Sequence, residues 1–202
     1  MISELEKMIA EGEHLHQDFK YFISDAKKIA RSIAAFANTD GGRLLIGVKD
    51  NGHIVGIKNE EDVHLIEAAA QFYCKPAVEY EPFIRPWQNK KVLEVRITKS
   101  RLAPHTAPAE DGSRRVYLRK ADENKVASAV EEGCMRLRNS PDPISLPDSQ
   151  ARERIMEYFN RNALPLMEDF DYDTSAMSQE CMIREKDCVE AICKMIILNE
   201  TY

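Results

Sequence analysis

Five side chains in the first quarter of the chain are of the types that handle metal ions and phosphates. Glu13, Asp18 and Asp50 fall near ends or turns of expected elements, as does Asp40, and Lys20 follows Asp18 at i+2 on one side of an extended segment. Two or three carboxylates can hold Mg²⁺ or Mn²⁺, and a lysine can stabilise charge developing on a phosphate. The same acids can equally cap or solvate turns. A second group is cationic. Residues 85–120 hold Arg85, Lys90, Lys91, Arg96, Lys99, Arg101, Arg114, Arg115, Arg119 and Lys120, opposed by Glu94, Glu110 and Asp111 alone. Such an excess suits a phosphate-binding face, because affinity for nucleic acid rests largely on neutralised phosphates. It also suits a solvated strand surface.

Within that stretch Arg119 closes a basic strand and is the residue first expected to meet a phosphate. His105, after Pro104 on a loop, either meets a phosphate or is an ordinary surface histidine. Trp87 sits on an expected hairpin, where it either stacks on an unpaired base or covers the sheet. His14 and His16 flank no third well-spaced ligand, so a metal site there is discounted.

The segment AFANTDGGRLLIGVKDNGHIVGI (35–57) runs from a helix through two glycines into a strand. A P-loop needs the reverse order, strand then glycines then helix, so that amides and the helix dipole meet the phosphates. No Gly-Lys-Ser/Thr and no GxGxxG follows, so ATP binding is not expected. Gly41 or Gly42 is expected to supply a left-handed helix cap. Asn38 and Thr39 are expected to cap the helix or pin the following loop.

These residues need elements to position them. Ser3 followed by Glu6 is capping-box spacing for a helix over residues 2–10. Ile29, Ile33, Phe36 and Ala37 share one face of a helix over residues 26–37. Strands are expected at 43–49 and 53–57 around the Asp50-Asn51-Gly52 turn, at 78–85, 91–98 and 115–119. Further helices are expected at 60–73, 123–137, 149–160 and 178–198. The pattern is α+β, with a mixed or antiparallel sheet flanked by helices and a small helical C-terminal extension. Pro141-Asp142-Pro143 to Pro147 reads as a linker, giving a first domain over 1–139 and an acidic extension over 140–202.

Charge divides the same way. Residues 1–139 carry 22 Lys and Arg against 21 Asp and Glu, whereas residues 140–202 carry 6 against 13. The acidic segment is expected to shield the basic stretch or contact another partner. Its apolar stripe of Cys181, Cys188, Ile192, Met195 and Ile196 is expected to pack or self-associate. A recognition helix is usually not acidic, so DNA reading is not placed there. Five scattered cysteines without a CxxC pair read as reduced thiols of a cytoplasmic protein. The polar N-terminus resembles no secretory signal, and no apolar run approaches a membrane span.

Taken together, Glu13, Asp18-Phe19-Lys20, the AFANTDGG block at 35–42, Gly47-Val48-Lys49-Asp50 and Ile54-Val55-Gly56-Ile57 resemble the Schlafen-type AlbA-like DNA-binding domain family. Ser100, Pro104-His105 and Tyr117-Leu118-Arg119 extend the likeness, which covers about residues 4–130. The resemblance implies an α+β domain of bacterial proteins described as DNA-binding or transcriptional regulators, and sometimes as ATP-binding. In animal Schlafen proteins a related core cleaves RNA with three acidic residues; by motif position these are Glu13, Asp18 and Asp50. Asp18 replaces the usual Glu of Glu-Phe-Lys, shortening that carboxylate by one methylene. A homodimer would be needed to imitate the two opposed copies of the Schlafen clamp.

Three functions follow as expectations. The first is a regulatory protein binding DNA or RNA through Arg85, Lys90, Lys91, Arg101, His105, Arg114, Arg115, Arg119 and Lys120. The second is a metal-dependent nuclease using Glu13, Asp18, Lys20 and Asp50. The third is an interaction module that oligomerises through its acidic C-terminal segment.

Overall fold

The computed structural model describes residues 3–58 and 61–200. The chain divides into two compact units, Met1–Val126 and Ala127–Tyr202. In the first unit, helix α1 (Glu4–Glu11) begins with the expected capping box. The Ser3 amide donates to the Glu6 carboxylate at 2.8 Å, and the Glu6 amide donates to the Ser3 hydroxyl at 3.2 Å. Strand β1 (Gln17–Lys20) pairs in parallel with β2 (Gly42–Ile46), and helix α2 (Ala26–Asn38) connects them. Helix α3 (Glu61–Ala68) follows and runs into a single π-turn, Ala69–Tyr73. Strands β3 (Tyr80–Trp87) and β4 (Lys90–Ile97) are antiparallel, and β4 is also antiparallel to β2, so the first sheet is mixed with order β1-β2-β4-β3. A second, antiparallel sheet comprises β5 (Thr106–Pro108), β6 (Arg114–Lys120) and β7 (Glu123–Val126). The fold is α+β, as the sequence predicts.

Strand alternation divides the apolar residues between two layers. Leu44, Ile46, Leu93, Val95 and Ile97 point to α2, where Ile29, Ile33, Phe36 and the small residues Ala30, Ala34 and Ala37 let the helix approach closely. Leu45, Val92 and Phe19 point the other way, under Leu5 and Met8 of α1. The α2-facing core reaches Ala107 and Tyr117 of the second sheet.

Several elements differ from the sequence expectation. The second strand of the Asp50 turn is reduced to one bridge, Val48 to Ile54, because Gly47 and Gly56 take φ of 95° and 82° and interrupt the ladder. Residues 123–126 form β7 rather than the first turn of a helix. Helix α4 (Ala129–Arg138) starts later, where Ser128 and Glu131 build a second capping box. The apolar stripe of the last helix is split: α6 (Thr174–Cys181) ends on Met182 at φ 52°, and α7 (Glu185–Glu200) follows. The sequence linker lies beyond α4, but the compact units part before it. Val130 and Cys134 of α4 belong to the second unit's core, with Ile155 and Phe159 of α5 (Ser149–Asn162), Met177, Ile192 and Cys193.

The double glycine is a junction between helix and strand. Gly41 has φ 73° and its amide closes α2 on the Phe36 carbonyl at 2.9 Å, as the left-handed cap expected from the sequence. Gly42 faces the Phe36 ring, and a Cβ there would stand 2.5 Å from two ring carbons that have no room to retreat. Gly42→Ala is therefore expected to lower the unfolding free energy by roughly 1–3 kcal/mol, as overpacking does, and so to lower the urea midpoint. An unchanged midpoint would contradict this packing.

Candidate functional site

The expected carboxylate site is assembled only in part. Asp18 is 3% exposed. The Nη2 of Arg119 donates to Asp18 Oδ1 at 3.3 Å, to the Gln17 carbonyl at 3.1 Å and to the His14 carbonyl at 3.3 Å. Lys20 Nζ stands 2.6 Å from Asp18 Oδ2, but off the angles of a hydrogen bond, so Oδ2 has no hydrogen-bond partner. Glu13 accepts from the Phe19 amide at 2.9 Å. Burial raises the Glu13 carboxyl above its ordinary range; the Phe19 amide opposes that rise, and the adjacent Asp18 carboxylate adds to it. Glu13, Asp18 and Lys20 thus come together, whereas Asp50 lies on an exposed turn. Among the described residues no group of three or more His, Cys, Asp or Glu side chains is close enough to hold a metal. The three-carboxylate donor set is not assembled, and Lys20 and Arg119 already neutralise Asp18.

The basic stretch separates into structural and surface cations. Arg119, expected at a phosphate, is 3% exposed and stands 5.0 Å from the Phe36 ring, with Nη1 on Asn124 Oδ1 at 3.2 Å. Its internal partners take it away from solvent. His105 is fully buried: its Nδ1 lies 2.9 Å from the Pro76 carbonyl, and burial lowers its pKa below the ordinary 6.5. Neither residue presents to a phosphate. Arg85 and Arg96 clamp the fully buried Glu94 at 2.6 and 2.7 Å, and Arg85 also pairs with Glu4 at 3.0 Å. Arg43 pairs with Glu11 of the same helix α1. Lys90 donates to the Ile54 carbonyl at 2.7 Å, and Trp87 Nε1 reaches Glu6 at 3.4 Å. On this face α1 therefore supplies acids to Arg85 and Arg43, while Arg96 is held by Glu94 of β4 and Lys90 by a neutral carbonyl. Arg115 pairs with Asp111 at 3.1 Å, Lys120 is half-buried, and Lys91 and Arg101 are exposed.

A different cluster keeps its charge. Arg114 donates from Nη2 to the Tyr73 and Thr106 carbonyls at 2.8 and 2.7 Å, and from Nε to Thr106 Oγ1 at 2.9 Å. These acceptors fix the guanidinium without cancelling its charge. Lys75 is bridged to Thr106 by two backbone bonds of 2.9 and 2.7 Å. Lys27 Nζ lies 5.9 Å from the Tyr73 ring centroid, with exposed Lys28 next in sequence. Arg31, one turn on, donates to the Pro108 carbonyl at 2.8 Å and meets the highly exposed Glu110 at 3.4 Å. Cys74 beneath this surface is no nucleophile, since burial pushes its thiol to about 12. Of the cluster only Arg114 is among the cations expected from the sequence. The i, i+4 spacing of Lys27 and Arg31 on the polar side of α2 was the available signal; Lys75 belongs to no pattern.

A family model described as Schlafen, AlbA_2 matches residues 13–128. No curated protein matches. Among solved structures, the DIP2311 protein of Corynebacterium diphtheriae is 18% identical with a TM-score of 0.52; the match covers 79% of this chain and 38% of that one. The N-terminal domain of a Nitrosomonas europaea protein described as ATP-dependent DNA helicase RecG-related is also 18% identical. Its match covers 73% of this chain and 97% of that one, with a TM-score of 0.38. Only the first superposition is close enough to bear on the fold. No helix among the described residues is long and apolar enough to cross a membrane.

Removing one partner of a buried ion pair leaves the other charge uncompensated, at a cost of about 3–5 kcal/mol. Arg119→Ala is expected to lose stability on that scale in urea denaturation, with Arg115→Ala nearly neutral. Equal, small effects would contradict the structural role. His105 also sets a pH dependence. Its folded pKa lies below 6.5, so the unfolded chain binds the proton first, and stability is lost as pH falls from 6.5 toward the folded pKa. A flat profile across that interval would show that protonation of His105 is not resisted by the fold.

Proposed function

The chain belongs to the Schlafen, AlbA_2 family, and we propose that it is a nucleic-acid-binding protein of regulatory type that holds phosphates on Lys27, Lys28, Arg31, Lys75 and Arg114. The observation that carries this reading is the fixing of Arg114 by carbonyl and hydroxyl acceptors alone. A guanidinium held this way is ordered yet retains its full charge, and its Nη1 hydrogens remain for an anion. Family membership supplies the second support. Contacts of this kind position a nucleic acid without reading its sequence.

The hydrolytic alternative through Glu13, Asp18, Lys20 and Asp50 has less behind it. The acid pair is neutralised from within, and the third carboxylate stands outside the group. Those buried charges instead lock β1 to β6.

Each neutralised phosphate contributes about −0.9 to the slope of log affinity against log salt on duplex DNA. Anisotropy of a labelled oligonucleotide is expected to show binding that weakens steeply with salt. Lys27→Glu with Arg114→Glu is expected to lower affinity at least about tenfold and to flatten the slope by about two. Full affinity in that variant would overturn the assignment.

A further inference from the structure

Phe72 is 70% exposed, high for a large aromatic side chain, and its position is built by the backbone beneath it. The π-turn Ala69–Tyr73 buries Ala69 and Ala70 completely and closes on the Cys74 amide, which donates to the Ala69 carbonyl at 2.9 Å. The Val78 amide donates to the Ala70 carbonyl at 3.0 Å, tying the start of the turn to the chain that follows it. Such turns are frequent at functional sites. Here the turn sets Phe72 outward on a fixed backbone. Among the described residues its ring meets no other ring or cation, whereas the ring of Tyr73 already carries Lys27.

Charge separates this ring from the other exposed aromatics. Tyr21 and Phe22 touch edge to face at 5.2 Å on a cleft of about 530 Å³ that is lined by Lys58 together with Glu61 and Asp62, and Lys49 stands 5.3 Å from the Tyr21 ring, so cations and acids oppose each other there. Phe72 instead directly precedes Tyr73, whose carbonyl accepts from Arg114 and whose ring carries Lys27, and lies three residues before Lys75. An exposed π-face beside ordered cations suits an unpaired base with its own phosphates, because every base has a face to stack and every link carries a negative charge. A duplex offers the same phosphates but keeps its bases stacked on each other.

We propose that this surface takes single-stranded nucleic acid, one unpaired base stacking on Phe72 while neighbouring phosphates lie on Lys27, Lys75 and Arg114. This rests on the phosphate reading above and adds the strandedness of the ligand. Stacking on one aromatic is worth about 1–3 kcal/mol, or roughly 5- to 150-fold in affinity. The test is anisotropy of the full chain with a labelled 16-nucleotide single-stranded DNA and with its duplex.

Phe72→Ala is expected to weaken single-strand binding at least about fivefold, to leave duplex binding within about twofold and to leave the salt slope unchanged. Phe72→Trp is expected to retain single-strand affinity. Equal affinity of Phe72→Ala and the unaltered chain for the single strand overturns the stacking proposal and assigns the ring to another partner, such as a protein. If Lys27→Glu with Arg114→Glu still loses binding in that case, the phosphate reading stands alone. If only Phe72→Ala loses binding, stacking stands and the phosphate assignment falls. Failure of the unaltered chain to bind either oligonucleotide removes both.

Discussion

The carboxamide of Asn38 ends α2 inside the core and spends every bond on the second sheet. Its Nδ2 donates to the His105 and Tyr117 carbonyls at 2.8 and 2.9 Å, and its Oδ1 accepts from the His105 amide at 2.7 Å. Next to it, the Thr39 hydroxyl accepts from the Arg119 amide at 2.9 Å. A buried backbone group left unpaired costs about 1–3 kcal/mol, so this junction admits one arrangement of α2 against β5 and β6. The cationic surface is built from those same elements. Lys27 and Arg31 lie on α2, Arg114 lies on β6, and Lys75 is bridged to β5. Their spacing is therefore set from within the core.

The arginines of the first unit do two kinds of work, distinguished by their partners. Arg119 is buried against a carboxylate, and Arg85 and Arg96 share the buried Glu94. For Arg119 Coulomb attraction offsets part of the desolvation cost and little charge remains to act outside, and Arg85 has a second acid in Glu4. Arg114 has only neutral oxygens around it and so keeps its field. A count of cations cannot make this distinction. The acids of α1 lie some eighty residues from Arg85 in sequence, and only folding shows that Glu4 reaches it.

Much of the fold was legible. The capping box at Ser3 and Glu6, the α2 core face and the glycine junction follow from local spacing, and each is where that spacing puts it. The site was legible less well, because its determinants are tertiary. Asn38 is indistinguishable in sequence from a local cap, yet its partners lie some seventy residues away. Arg119 reads as the end of a basic strand until β1 supplies Asp18. Residues 123–126 read as helix because their composition permits one, but pairing with β6 won over local propensity. Lys75 becomes part of a cluster only through its bridge to Thr106.

Backbone amide chemical shifts, followed by NMR as a short single-stranded oligonucleotide is added, test where nucleic acid sits. Changes are expected to concentrate on Lys27–Arg31, Phe72–Lys75, Thr106 and Arg114, with α1, β3 and β4 unmoved. Changes centred on the Arg85–Arg96 strand face, or none at saturating oligonucleotide, would contradict that placement.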